Sequence, residues 1–73
     1  MRIYVLQEYN AGMTVCISED IGMIRSQICS KKYFDPKRET YPILSMWENG
    51  KEVWKIEGSE VLKRIAKEMR ENV

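Results

Sequence analysis

Asparagine followed by glycine, at positions 49 and 50, stands between two runs rich in apolar residues that read as strands. The central residues of a type I′ turn both need positive φ, which this dipeptide adopts at least cost, so the pair dictates a β-hairpin. Its strands are Tyr41 to Glu48 and Lys51 to Ile56. A two-residue loop sets the register: Glu48 faces Lys51, Trp47 faces Glu52, Met46 faces Val53 and Ser45 faces Trp54. One face then collects Leu44, Met46, Val53 and the stem of Lys55, and the other collects Ile43, Ile56, Trp47 and Trp54. If helices cover one side only, large apolar groups stay near water on the other.

The first half repeats the plan. Arg2 to Tyr9 is rich in β-branched and aromatic residues, with Ile3 and Val5 at one parity and Tyr4 and Leu6 at the other. A strand central in its sheet has that two-sided pattern. Asn10-Ala11-Gly12 is a turn signal, and Met13 to Ile17 alternates, with Met13, Val15 and Ile17 expected on one side. Ser18 then reads as the cap of a helix with Glu19 and Asp20 in its first turn, running to about Lys32 with Ile21, Ile24 and Ile28 on one stripe. Residues 33–40 form a connecting loop. After the second hairpin Gly58 breaks the strand, and Ser59 caps a helix from Glu60 to about Asn72. Val61, Leu62, Ile65, Ala66 and Met69 are its expected buried stripe, with Glu60/Arg64, Arg64/Glu68 and Lys67/Glu71 pairing on the wet side.

The order is therefore strand, strand, helix, twice: a small α+β two-layer sandwich, with a four-stranded, mainly antiparallel sheet and two helices on one face. A β-grasp-like sheet with an added C-terminal helix has the same element order. Seventy-three residues suffice for one domain, 1–73, of marginal core size. A hydrophobic content of 44% is that of a folded chain.

Charge is nearly balanced at +1 but unevenly spread. Residues 31–40 carry Lys31, Lys32, Lys37 and Arg38 against Asp35 and Glu39, a net +2, while residues 41–73 hold six charges of each sign. The near-neutral total gives no long-range attraction to nucleic acid or an acidic membrane. Met1-Arg2-Ile3 turns polar by Gln7, too soon for the apolar stretch of a signal peptide, and no run approaches a membrane span. The expected location is the cytoplasm. Cys16 and Cys29 do not make a disulfide framework; they read better as small core residues than as a single bridge.

Histidine is absent. With it go the commonest general base, the usual serine and cysteine triads and the commonest metal ligand. Two cysteines cannot complete a tetrahedral zinc site, and the glycines at 12, 22, 50 and 58 are too scattered for a phosphate loop. No cofactor is expected, and nothing supports an enzyme. Two binding surfaces remain. Leu44, Met46, Trp47 and Val53 are the expected protein interface, with Trp47 near the turn more exposed than Trp54. Lys31, Lys32, Tyr33, Lys37 and Arg38 are the weaker candidates for nucleic-acid contact, where cations meet phosphates and the aromatic ring stacks on a base. For Tyr33 and Phe34, pinning the loop to the edge of the core is the favoured role over base stacking. The expected function is a non-enzymatic protein-interaction module (an adaptor, an inhibitor or a homodimer), of the kind that mobile elements often encode.

Overall fold

The computed structural model describes residues 1–30, 32–35, 37 and 39–71. Its elements are β1 (Arg2–Glu8), β2 (Thr14–Ser18), α1 (Ile21–Cys29), β3 (Pro42–Glu48), β4 (Lys51–Glu57) and α2 (Glu60–Glu71). The sheet order is β2-β1-β3-β4, and all three ladders are antiparallel. The two hairpins thus join through β1 and β3 without the parallel pair of a β-grasp sheet, which leaves the two-layer sandwich. Both helices pack on one side. Tyr4 and Leu6 of β1 and Leu44 and Met46 of β3 meet Ile21, Ile24 and Ile28 of α1 and Val61 and Ile65 of α2.

The second hairpin turns as its sequence dictates, with Asn49 at φ 52° and Gly50 at φ 78°. Glu48 pairs with Lys51 and Trp47 with Glu52, but Met46 then pairs with Trp54. Val53 is squeezed out as a bulge, so the expected Met46/Val53 and Ser45/Trp54 pairs do not form. The physical reason lies one residue further on. Strict register would set Lys55 opposite Leu44, driving an ammonium into the core, where an unpaired charge is costly. The bulge sets Lys55 opposite Ser45 instead and brings Trp54 and Ile56 inward beside Met46 and Leu44. β2 uses the same device. Leu6 pairs with Cys16 and Gln7 with Thr14, leaving Val15 unpaired. Met13, Val15 and Ile17 therefore do not share a side: Val15 packs against the core and Ile17 is exposed.

The helices also differ from expectation. Ser18 ends β2, and α1 is capped by Asp20, whose carboxylate accepts from the Gly22 amide at 2.9 Å. Ser18 Oγ accepts from the Asp20 amide at 3.0 Å, so serine shapes the approach and aspartate makes the cap. The helix stops at Cys29, short of Lys32. In α2, Val61 and Ile65 are buried, yet Leu62, Ala66 and Met69 lie outside. The third inward position belongs to Glu68, only 3% exposed. Its Oε2 accepts from Tyr4 Oη at 3.2 Å, and its carboxylate meets Arg2 at 3.5 Å and Arg64 at 3.4 Å. The expected Arg64/Glu68 pair thus forms on the buried side, and Glu60 turns to Lys63 at 3.5 Å. Among the described residues no helix is long and apolar enough to cross a membrane.

Candidate binding face

With both helices on one side, the other side of the sheet carries no covering element among the described residues. Cross-strand register arranges its side chains in rows. Ile3 stands beside Trp47 and Glu52; the next row holds Ile17, Val5, Ser45 and Lys55; the third holds Thr14, Gln7, Ile43 and Glu57. Ile3, Val5, Ile17, Ile43 and Trp47 surround Ser45, the charged groups keep to β4, and Thr14 and Gln7 add polar groups in the third row. Ile17 is 63% exposed and Trp47 37%.

Trp47 does not stand free. Its indole Nε1 donates to Ser45 Oγ at 3.1 Å, which folds the ring back over its own strand. That bond satisfies the one polar atom of the indole and leaves Ser45 only 4% exposed. The ring presents its hydrocarbon surface outward, and an apolar platform results. Tyr9 and Tyr41 extend the same parity past the strand ends. Their rings stack with centroids 4.3 Å apart at 19°, and the Tyr9 amide donates to the Tyr41 carbonyl at 3.2 Å. Burial, the neighbouring Glu57 carboxylate and Tyr9 together push the Tyr41 hydroxyl pKa up. Following Glu8 and Pro42 in register, the pair lies beside the third row.

The expected interface residues divide between the two faces. Leu44 and Met46 are core residues under the helices, so in the folded monomer neither is a surface contact. Trp47 is on the bare face, Val53 is exposed in its bulge, and Trp54 is half-buried against the core under Arg64, 4.5 Å from its ring centroid. What the pattern of the second hairpin does not reveal is the contribution of β1 and β2. Ile3, Val5 and Ile17 complete the face, and the signal for Ile3 and Val5 was the two-sided apolar pattern of β1.

The basic loop is less of a unit. Lys31 and Arg38 lie outside the described residues. Lys32 is exposed with its ammonium 5.2 Å from the Tyr33 ring centroid, Lys37 is exposed, and Asp35 accepts from the Lys37 amide at 2.8 Å. Phe34 packs against the core, as its pinning role requires. A shallow groove of about 250 Å³ between β4 and α2 is lined by Ile56, Glu60, Lys63, Arg64 and Lys67. Cys16 is half-buried against the core but Cys29 is exposed, which corrects its expected place inside, and both thiols are free. Among the described residues no three metal-ligating side chains converge.

Sequence reading also missed two buried acids. Glu8, 6% exposed, accepts from the amides of Asn10 at 2.7 Å and Ala11 at 2.9 Å and from the Thr40 hydroxyl, tying the first turn to the start of β3. A carboxylate just ahead of a turn was the signal for it. Glu68 follows Val61 and Ile65 at helical spacing, which marks its place on the buried stripe. Comparison with protein-family models, curated proteins and solved structures finds no match for this chain.

Proposed function

We propose that this chain is a non-enzymatic protein-interaction module whose binding surface is the bare face of the sheet. One observation carries the reading: Ile3, Val5, Ile17, Ile43 and Trp47 adjoin one another in register on the side without helices, with Glu52, Lys55, Glu57, Gln7 and Thr14 around them. An apolar surface with a polar margin is the composition of a protein interface, and a partly exposed indole is the kind of group that dominates binding energy once a partner buries it. The outer strands argue against binding by strand addition. β2 has five residues and a bulge, and β4 carries Lys51, Glu52, Lys55 and Glu57 with a bulge of its own. Short, charged and bulged edges discourage pairing with another strand.

Nucleic acid is the weaker reading. A base-stacking platform would use Trp47, Tyr9 and Tyr41, but Glu52 and Glu57 outnumber Lys55 on that face and repel phosphate. The test is capture from an extract of the cell that makes the protein, with Ile17→Glu and Trp47→Ser as controls of unchanged circular dichroism. A bound protein lost with both variants is the expected result. Capture that both variants retain, or retention of single-stranded DNA or RNA that falls steeply with salt, would contradict it.

A further inference from the structure

We infer that the occupant of the bare face is a second copy of this chain, docked face to face about a two-fold axis that runs across the strands. This rests on the protein-interaction reading and goes beyond it by naming the partner and the register. On the bare face of β4, Lys55 and Glu57 are successive side chains, opposite Ser45 and Ile43. A two-fold axis lying between those two rows carries each row onto the other. Lys55 then meets Glu57 of the second copy, and Glu57 meets its Lys55. The same rotation sets Trp47, one row further out, over the stacked Tyr9 and Tyr41 of the second copy. Both charge and aromatic surface become self-complementary with a single choice of axis. Axes through either row itself would instead oppose Lys55 to Lys55 or Glu57 to Glu57.

The size of the face is suited to this. Four strands of up to seven residues cover roughly 19 by 23 Å, and the tyrosines lengthen the patch. Its corrugated surface is on the scale of the about 600 Å² per partner that the smaller stable interfaces bury. Two sheets stacked about 10 Å apart and aligned within about 30° form an ordinary β-sandwich core, here completed by two chains. A net charge of +1 gives little repulsion between copies.

Sedimentation velocity of the purified chain from about 5 to 500 µM tests the inference, with Lys55→Glu, Glu57→Lys and the double exchange beside the wild type. The expected wild-type result is a reversible dimer of twice 8.7 kDa. Each single exchange sets like charges together twice and weakens association at least about tenfold, and the double exchange restores it. Both sites are solvent-facing, and circular dichroism verifies the fold. A wild type that stays monomeric throughout, or single exchanges that dimerise like the wild type, would overturn the second copy as occupant. If the monomer still captures a protein that Ile17→Glu loses, the interaction reading survives with another partner; if it captures none, both fall.

Discussion

The two faces of this sheet are made by alternate residues of the same strands, yet they do different physical work. On the helix side Tyr4, Leu6 and Leu44 are sealed almost completely, and burying them is what opposes the conformational entropy of so short a chain. On the other side Ile3, Val5 and Ile43 are half-covered by their neighbours, while Ile17 stays mostly in water. Apolar content alone does not separate the two faces. What separates them is whether a second layer exists to receive it. If the bare face binds as proposed, stability and recognition belong to opposite parities, and substitutions at one parity should move one property and spare the other.

The largest effect that could break this contrast is in the core. Leu44→Ala should lower unfolding free energy by about 2–5 kcal/mol, read from the urea midpoint. A cost below 1 kcal/mol would mean that the helix side is not the core. Glu68→Ala comes next. It strips the Tyr4 hydroxyl of its partner in a buried setting and should cost about 1–3 kcal/mol.

The same cluster gives an alkaline signature. Burial first, then the Glu68 charge, raise the Tyr4 hydroxyl above its usual 10.0. The folded chain therefore holds that proton after the unfolded chain has released it. Its stabilisation is complete below pH 10.0 and declines as pH climbs from there through the raised folded value. In Tyr4→Phe the alkaline decline should be shallower than in the wild type, with stability at pH 7 lower by about 1 kcal/mol from the lost hydrogen bond. An unchanged alkaline slope would contradict the assignment.

Deleting Val53 sharpens the contrast from another direction. It removes the bulge and leaves Met46 opposite Trp54 and Ser45 opposite Lys55, so each side chain keeps its face. The shortened chain should fold with a smaller loss than Leu44→Ala causes, as thermal unfolding would show. Collapse of the fold on deletion would indicate a regular hairpin. Smallest of all, Ile17→Ser should shift stability by no more than about 0.5 kcal/mol while it weakens association.

The architecture is legible in the chain because local signals agree. Asn49-Gly50 leaves one turn type, the two-sided pattern of β1 marks it as central, and the last helix follows 3.6-residue spacing. The bulges at Val15 and Val53 are not legible in the same way. The one at Val53 arises from a conflict between turn-imposed register and the cost of burying Lys55, which is resolved only when the helices choose a side. Helix capping shows a smaller version of the problem, since Ser18 and Asp20 both suit the role and the strand end decides. The buried face of α2 depends on Tyr4 and Arg2, distant in sequence, accepting Glu68 as a partner. Without them Leu62 and Met69 are the better core residues, and that is how the sequence alone reads. For the candidate binding face, the apolar excess was visible in the second hairpin, but its division between two sides needed the register.

Methyl chemical shifts followed through a dilution series give the most direct trial of the bare face as the contact surface between two copies of this chain. Concentration-dependent shifts confined to Ile3, Val5, Ile17 and Ile43, with Ile24, Ile28 and Ile65 unmoved, are the predicted outcome. Shifts that gather instead on Leu62 and Met69 of α2, or none at any concentration, would contradict it.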